Sequence, residues 1–303
     1  MNGLVLIDKE PDFTSFDAVA VVRRIFETRK AGHGGTLDPN ATGVLPVFLG
    51  NACALSSFIM EGEKIYEAEM TLGIGTDTDD IWGEVLEVAP VNCLQEEVEK
   101  AILSFRGTYD QLPPMYSAKK KNGKKLYEYA RKGLEIEREA VPVKIEEIHI
   151  LSLELPKARF LVRCEKGTYI RALCRDIGIK LGLPACMSSL RRLKHGPFRI
   201  EDAHTISLLR AEKEAGNDIS SYLIPTEELL SGYPKAIIDK DADKRLKNGN
   251  LLYAGDFTEL PKEAQAGAFL RVYDADHVFT ALYQYDEKND GFRPVRMFIN
   301  GDH

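Results

Sequence analysis

An aspartate in a glycine-rich loop is the residue of this chain best suited to covalent chemistry. Asp38 lies in the run GHGGTLDPNATGVLP, residues 32–46. Glycines allow positive φ and close approach of the backbone to a ligand, while Pro39 and Pro46 stiffen the loop. Such a loop can present a carboxylate as a nucleophile. The alternative is a structural turn in which the Asp38 side chain hydrogen-bonds nearby backbone.

A nucleophilic carboxylate must be ionised and aimed, and a guanidinium does both through two parallel hydrogen bonds. Arg171 is the candidate partner because it follows a strand end and a glycine turn in KGTYIR, residues 166–171. Tyr169 lies two residues earlier, so an extended segment would put both side chains on one face, whereas a helix starting at Ile170 would not. The alternatives are a structural ion pair for Arg171 and a core aromatic role for Tyr169.

The sequence indicates neither a metal site nor a cofactor. The acidic run Asp77–Asp80 lacks the glycine and the distant glutamate of a calcium loop, since Ile81, Trp82 and Gly83 follow it, and we predict a turn there. The five cysteines are an odd number without close pairing. This pattern favours buried free thiols over a disulfide framework or a thiolate metal site.

The charge of the chain is segregated. Its net charge is −7, yet residues 117–138 carry eight Lys or Arg against three Glu, and residues 163–199 carry nine against two acidic residues. The two tracts therefore hold +12 and the remainder −19. Such a chain can bind a polyanion on one face, although solvated helix faces are the alternative.

Length and composition predict a folded protein of the cytoplasm. A chain of 303 residues with 44% hydrophobic content can form one large and one smaller domain. No segment has the apolar length of a membrane span, and the amino terminus lacks the basic start and apolar run of a secretion signal.

The elements around Asp38 follow from local patterns. A short apolar strand is predicted over 3–9, and TSFD at 14–17 reads as a capping box. We predict that the helix it opens has an apolar stripe of Phe16, Val19, Ala20 and Phe26. Alternation over 64–72 predicts a strand with Tyr66 facing inward. Further strands are predicted over 44–49, 83–88, 143–155 and 159–165, and helices over 51–60, 94–104 and 170–181.

Strands that come in runs predict an α+β fold, with a mixed, largely antiparallel sheet core flanked by helices. A polar segment over 211–218 and prolines at 225 and 234 place a domain boundary near residue 235. We therefore predict a catalytic domain over 1–234 and a small domain over 235–303. Short strands over 269–273, 278–285 and 295–299 predict a β-barrel-like module in the second.

The loop around Asp38 resembles the TruB family of tRNA pseudouridine synthases, whose pattern is G-H-x-G-x-L-D-P-x-A-T-G-x-L-P. Similar motifs run almost end to end and in the family's order: KIYEA at 64–68, LGIGTDTDDIWG at 72–83, QLPPMYSA at 111–118, GTYIR at 167–171, LRR at 190–192 and GPF at 196–198. The chain departs from the family near its amino terminus. There KEPDFTS, residues 9–15, replaces both the proline and the glycine of K-P-x-G-x-T-S.

The resemblance implies a role for each site residue. Asp38 would be the nucleophile, paired with Arg171. Tyr66 would stack on the target base and is a candidate for proton removal, while Tyr169 and Leu190 would line the pocket. His33 would help to displace the target nucleotide. The residues do not decide whether Asp38 attacks C1′ of the ribose or C6 of the base.

The resemblance also implies the pseudouridine synthase fold, a thumb-like insertion over about 117–140 and a carboxy-terminal PUA-like RNA-binding domain. The implied partner is the T-arm stem-loop of tRNA, in which the uridine at position 55 becomes pseudouridine without a cofactor. The insertion favours the stand-alone bacterial type, which uses no guide RNA, and we predict a monomer. The RNA-contacting residues are predicted to be Lys119, Lys120, Lys124, Lys125, Arg131, Arg191, Arg192 and Lys194.

Three other functions are compatible with the same residues. The chain could bind RNA without catalysis, or act as a tRNA-folding factor beside or instead of modification. It could also be a nucleoside or glycoside hydrolase that uses Asp38 with one of Asp77–Asp80, since glycosidases normally require a second carboxylate.

Overall fold

The computed structural model describes residues 1–117, 119–121, 123–134, 136–262, 264 and 267–298. The strands are β1 (Gly3–Lys9), β2 (Ala31–His33), β3 (Thr42–Leu49), β4 (Lys64–Leu72), β5 (Ile74–Thr76), β6 (Val85–Val88), β7 (Gly107–Gln111), β8 (Lys120–Lys121), β9 (Lys124–Lys125), β10 (Val141–Glu154), β11 (Lys157–Cys164), β12 (Ala185–His195), β13 (Phe198–Arg199), β14 (Ile224–Pro225), β15 (Lys235–Ile238), β16 (Phe257–Glu259), β17 (Phe269–Tyr273), β18 (Phe279–Asp286) and β19 (Gly291–Met297). The α-helices are α1 (Ser15–Ile25), α2 (Ser56–Ile59), α3 (Gln95–Leu103), α4 (Leu126–Ala130), α5 (Ile170–Leu181), α6 (Ile206–Glu214) and α7 (Asp243–Lys247).

One large sheet forms the centre of the molecule. Its strand order is β14-β1-β3-β12-β4-β11-β10-β7, with β2 paired to β3 and β13 paired to β12. The pairs within it are antiparallel except β3 and β12, which run parallel where Arg191 lies opposite Thr42 and Arg192 opposite Gly43. This arrangement confirms the predicted α+β class with a mixed, largely antiparallel sheet.

The central strand β12 is absent from the sequence prediction. This strand lies between β3 and β4 and carries the polar residues Ser188, Ser189, Arg191 and Arg192. Two register shifts interrupt its pairing with β4. A polar strand with bulges lacks the regular alternation that identifies a half-buried strand. The predicted helix over 51–60 is also different, because a 3₁₀ turn at Gly50–Leu55 precedes the short α2.

Helix α1 begins as predicted but buries a different face. Thr14 Oγ1 accepts from the Asp17 N–H at 3.0 Å, and Asp17 accepts from the Thr14 N–H at 3.1 Å, which completes the capping box. The predicted stripe is wrong at Phe16, which is 76% exposed, whereas Ala18 and Val22 are buried. The buried residues follow the i, i+3, i+4 spacing of a helix from Ser15, so Phe16 lies outside the stripe.

The turn before α1 accommodates the departure from the family pattern. Asp12 occupies the position of the family's glycine and has a φ of +64°. Aspartate tolerates the left-handed region better than most residues because its short side chain can hydrogen-bond locally. The turn therefore forms without the glycine.

Residues 235–298 have a sheet and an apolar core of their own. The strand order is β16-β15-β17-β18-β19, with β15 and β17 parallel. Leu246, Leu270 and Tyr283 are fully buried within this part. Leu230, Leu282 and Phe298 belong to another cluster that joins it to the rest of the chain through Leu55. The PUA identity and the boundary at residue 235 stay predictions, and the predicted strand end at Ile299 lies outside the described residues.

Candidate active site

Asp38 and Arg171 form an ion pair with two contacts. Arg171 Nε lies 2.9 Å from Asp38 Oδ2, and Arg171 Nη2 donates to Asp38 Oδ1 at 3.2 Å. The Arg171 side chain is only 6% exposed, whereas that of Asp38 is 38% exposed. A buried cation therefore orients a carboxylate that still has an accessible surface, as a nucleophile requires.

The guanidinium of Arg171 is fixed by backbone carbonyls. Nη1 donates to the Thr78 carbonyl oxygen at 2.8 Å, and Nη2 donates to the Tyr116 carbonyl oxygen at 2.8 Å. Asp80 Oδ2 lies 3.8 Å from Nη1. The segments that precede and begin the insertion thus converge on the arginine that holds Asp38. Residue type gives no indication of these roles for Thr78 and Tyr116, because every residue has a backbone carbonyl.

Helix α5 sets the position of Arg171. It begins at Ile170, so Tyr169 is the N-cap residue rather than part of a strand. The buried Gln111 side chain holds both backbone groups of Tyr169, accepting from its N–H at 2.8 Å and donating to its carbonyl at 3.0 Å. Arg171 therefore lies in the first turn of α5 and Tyr169 just outside it.

Tyr66 and Leu190 come from neighbouring strands under the site. Leu190 on β12 lies opposite Ala68 on β4, and Tyr66 lies opposite Arg192. Both side chains are nearly buried, at 6% exposure for Tyr66 and 7% for Leu190. Burial raises the pKa of the Tyr66 phenol to about 12. The phenol is consequently protonated near neutral pH, which favours stacking or hydrogen-bond donation over proton removal.

A second set of contacts holds the backbone of the Asp38 loop. Arg192 is fully buried and donates from Nε to the Val44 carbonyl at 2.9 Å and from Nη2 to the Gly35 carbonyl at 3.1 Å. Lys9 Nζ donates to the Pro39 carbonyl at 2.8 Å. Burial lowers the pKa of Lys9 to about 8, with Asp38 among the charges that oppose this shift.

The burial of Arg192 corrects its prediction as an RNA contact. A guanidinium that has no exposed surface and donates to carbonyls of residues 35–44 cannot reach a phosphate. Gly43 shows the closeness of the packing, because a Cβ on it would lie 2.2 Å from the Arg192 carbonyl oxygen. We therefore assign Arg192 to positioning the loop.

The two histidines near the loop are kept neutral. Burial, together with the positive charge of Arg192, lowers the pKa of His33 and brings that of His195 to about 2. The Nδ1 atoms of both rings are buried and have no hydrogen-bond partner among the described residues. His33 lies at the end of β2 and is half-buried, and its role in displacing a nucleotide stays a prediction.

The other predicted RNA contacts divide into two groups. In the thumb-like insertion, β8 and β9 pair as a hairpin, with Lys120, Lys124 and Arg131 exposed and Lys119 and Lys125 half-buried. On β12, by contrast, Arg191 and Lys194 both have carboxylate partners. Arg191 pairs with Asp8 at 2.8 Å and Lys194 with Glu63 at 2.8 Å. Residues 118, 122 and 135 of the insertion lie outside the described residues.

The acidic run forms a hydrogen-bonded turn, as predicted. Asp77 Oδ1 accepts from the Glu84 N–H at 2.7 Å, and Asp80 Oδ1 accepts from the Thr78 hydroxyl at 2.8 Å. Within the part of the chain that the structure describes, no group of three or more His, Cys, Asp or Glu is arranged to hold a metal ion. In the same residues, no helix is long and apolar enough to cross a membrane.

A cleft of about 820 Å³ lies beside the Arg171 network. Asp79, Tyr116 and Arg175 line it, together with Leu134 from the insertion. Asp38 does not belong to its lining, so the cleft adjoins the Asp38–Arg171 pair without containing Asp38.

Comparison with known proteins identifies the family of this chain. The model of the TruB family pseudouridylate synthase N-terminal domain matches residues 23–170, and that of the tRNA pseudouridylate synthase B C-terminal domain matches residues 171–231. A tRNA pseudouridine synthase B of Clostridium tetani is 43% identical over 99% of this chain and 100% of its own. The chain belongs to the TruB family.

Other members and solved structures extend the comparison. The tRNA pseudouridine synthase B of Lachnoclostridium phytofermentans is 45% identical over 99% of this chain and 100% of its own. That of Alkaliphilus oremlandii is 46% identical over 84% of each chain. A chain of a Cbf5-Nop10-Gar1 complex matches this TruB-family structure with a TM-score of 0.69 and 26% identity, over 98% of this chain and 85% of its own. A chain of an H/ACA RNP bound to a substrate RNA gives 0.68 and 25%, over 99% and 86%.

Proposed function

We propose that this TruB-family enzyme converts the T-loop uridine at position 55 of tRNA to pseudouridine, with Asp38 as the nucleophile. The observation that carries the proposal is the Asp38 carboxylate, which is held in two contacts by the buried Arg171 and is itself 38% exposed. The broader activity, isomerisation of uridine to pseudouridine in tRNA, follows from membership of the TruB family.

The reaction suits a site with one free carboxylate. The bond between C1′ and N1 of the uracil breaks, the base turns, and a bond between C1′ and C5 forms. The C5 proton is lost and N1 gains a proton, so the product is an isomer of the substrate. Water must be kept from C1′ while the base is detached, which a site lined by Leu190 and Tyr66 favours over a hydrophilic cleft.

Asp38 is available for attack and Asp80 is not. Asp80 Oδ1 already accepts from the Thr78 hydroxyl and from the Trp82 N–H, and its other oxygen faces Arg171. These contacts argue against a hydrolase that would use Asp80 as its second carboxylate, because such a group needs to reach a water or a leaving group.

A uridine inside a folded loop must be extruded before it can reach Asp38. Extrusion costs a few kcal/mol of unstacking, which contacts to phosphates and aromatic rings offset. The exposed Lys120, Lys124 and Arg131 of the insertion are placed to supply phosphate contacts. We propose that the T-arm stem-loop binds between this hairpin and the Asp38 loop.

The remaining parts of the proposal concern assembly and location. Two solved relatives are chains of an H/ACA RNP and of a Cbf5-Nop10-Gar1 complex, whereas the full-length relatives are named tRNA pseudouridine synthase B. We propose that this enzyme acts as a monomer, without a guide RNA, in the cytoplasm. Tyr66, Tyr169, Leu190 and His33 would contact the extruded nucleotide.

The decisive experiment compares the unaltered enzyme with Asp38→Asn on a synthetic T-arm stem-loop. Asparagine keeps the shape of the side chain but is a far weaker nucleophile, so conversion should fall by about 10³-fold or more. RNA affinity should stay within about twofold, because Asp38 contributes no phosphate contact. Conversion is measured by mapping pseudouridine, and affinity by fluorescence anisotropy.

Each rival predicts a different result. Retained conversion by Asp38→Asn would reject the nucleophile assignment. Release of free uracil by the unaltered enzyme would indicate a hydrolase. Tight binding without product from the unaltered enzyme would indicate a protein that binds or folds tRNA without modifying it.

A further inference from the structure

The single tryptophan of the chain stands in an unusual place. Trp82 is 50% exposed and lies in the loop between β5 and β6. The same loop carries the Thr78 carbonyl and the Asp80 carboxylate, which both face Arg171. A turn can be built from small polar residues, so its formation does not require a large aromatic ring exposed to water.

The loop holds Trp82 firmly. The backbone N–H of Trp82 donates to Asp80 Oδ1 at 3.2 Å, and the backbone N–H of the neighbouring Ile81 donates to the Met187 carbonyl at 2.9 Å. The Thr76 hydroxyl donates to the Asp80 carbonyl at 2.6 Å. A ring on such a fixed backbone loses little entropy when it makes a contact.

Trp82 also lies close to the nucleophile by a short series of contacts. The Trp82 backbone N–H donates to the Asp80 carboxylate, whose Oδ2 lies 3.8 Å from Arg171 Nη1. Arg171 in turn pairs with Asp38. On the other side, Arg171 binds the Tyr116 carbonyl, from which the chain leads into the basic insertion. Trp82 and the insertion are therefore both connected to Asp38 through the same arginine.

The chemistry around Trp82 favours a base over a phosphate. The loop of residues 77–84 contains no Lys or Arg that could bind a phosphate, and its Asp79 and Asp80 already pair with Arg175 and Arg171. The face of a nucleobase is neutral and stacks well on an aromatic ring. Extrusion of one nucleotide also leaves the adjacent base without its stacking partner.

We propose that Trp82 stacks on a nucleobase adjacent to the target uridine in the bound RNA. This inference rests on the proposed function, since it requires RNA bound at Asp38. It assigns a positioning residue that helps to hold the opened loop while the extruded uridine occupies the site.

The lone tryptophan provides a direct measurement. The Asp38→Asn variant is titrated with the T-arm stem-loop while emission is excited at the red edge of the tryptophan band, which avoids tyrosine. Stacking should quench the emission and protect Trp82 from acrylamide. A stem-loop with an abasic site next to the target uridine should bind with less quenching. Binding that anisotropy detects without any change in emission or in acrylamide access would overturn the inference.

Kinetics supply the second measurement. Trp82→Ala should raise KM for the stem-loop about tenfold with kcat nearly unchanged, because stacking of one base is lost in ground state and transition state alike. Trp82→Phe should recover much of the loss. Val88→Ala, at a 71% exposed apolar residue of the same hairpin, is the matched control and should leave KM unchanged.

The outcomes separate the two proposals. If the unaltered enzyme makes pseudouridine in the stem-loop and Trp82→Ala has a normal KM, the tryptophan inference fails and the proposed function stands. If the unaltered enzyme neither binds nor converts the stem-loop, both fail. Circular dichroism checks that the variants fold.

Discussion

Two buried arginines, one from α5 and one from β12, hold the Asp38 loop, and their partners differ. Arg171 directs two nitrogen atoms at the Asp38 carboxylate. Arg192 directs its nitrogen atoms mainly at the carbonyls of Gly35 and Val44, with a further hydrogen bond to the Tyr66 hydroxyl, and it forms no ion pair with a carboxylate of the described residues. Arg171 therefore orients the Asp38 carboxylate, and Arg192 fixes the backbone of the loop that carries it.

The difference shows why residue type does not reveal a role. Burying an arginine is costly unless its charge or its donors are satisfied. Arg171 is compensated by a carboxylate that is available for chemistry. Arg192 is compensated by backbone carbonyls, which have no reactive function. Loss of Arg171 should therefore affect the reaction first, and loss of Arg192 the fold first.

The largest effect is expected for Arg171→Lys. Lysine keeps the charge but cannot make both contacts to Asp38 while donating to the Thr78 and Tyr116 carbonyls, since its ammonium group lacks the planar fork. We expect kcat for the stem-loop to fall by about 10²- to 10³-fold, the range seen when one preorganised donor is lost. Single-turnover conversion measures this.

The same variant carries its own control. RNA affinity should stay within about twofold, and the melting temperature should fall less than in Arg192→Met, because the charge is kept and an ammonium group can still donate to some of the same oxygens. A variant Arg171→Lys that lost stability but kept its turnover would contradict the role given to Arg171, because it would behave as we expect of a variant at Arg192.

A smaller effect, on stability, is expected for Arg192→Met. Methionine fills part of the space but leaves the Gly35 and Val44 carbonyls without their donor. Each unsatisfied buried group costs about 1–3 kcal/mol, so the free energy of unfolding should fall by about 2–4 kcal/mol. Urea denaturation measures it.

Arg191→Met is the matched control, since Arg191 is the next residue of β12 and its side chain is 38% exposed. Loss of its pair with Asp8 should cost at most about 1 kcal/mol. RNA affinity should follow the reverse order, with Arg191→Met weakening binding and Arg192→Met leaving it unchanged once folding is corrected for. Equal stability of the two variants would contradict the structural role of Arg192.

The smallest effect is expected at Tyr66, which lies within the electrostatic influence of both Arg192 and Asp38. Its pKa is raised to about 12 in the folded chain, above the unfolded value of about 10. Above pH ~10 the unfolded chain loses this proton and the folded chain keeps it, so the free energy of unfolding falls as pH rises. Tyr66→Phe should lack about 1 kcal/mol of that fall between pH ~9 and ~11.

Activity gives the complementary result. Since the phenol is protonated near neutral pH, Tyr66→Phe should reduce kcat by less than about tenfold and keep the same pH profile below pH ~9. An alkaline rise in kcat that disappears in Tyr66→Phe would instead assign proton removal to this residue.

Much of the architecture could be predicted from local patterns. Strand β4 and helix α5 have the predicted bounds, and Tyr66 faces inward because strict alternation fixes which side of a strand is buried. Strand β12 was missed because polar residues and bulges interrupt its alternation. The predicted apolar stripe of α1 is wrong at Phe16, which is exposed. Apolar character alone does not put a residue of the first turn on the buried face.

The sequence by itself predicted the glycine-rich Asp38 loop and the α+β class, because glycines and periodicity are local properties, and the family resemblance predicted Arg171 as the partner of Asp38. Only the tertiary structure decided that Arg192 supports the loop, that Thr78 and Tyr116 fix Arg171, and that Trp82 is half exposed in a loop bonded to Asp80. Burial and backbone hydrogen bonds depend on which strands become neighbours. A guanidinium has the same formula whether it meets a phosphate, a carboxylate or a carbonyl.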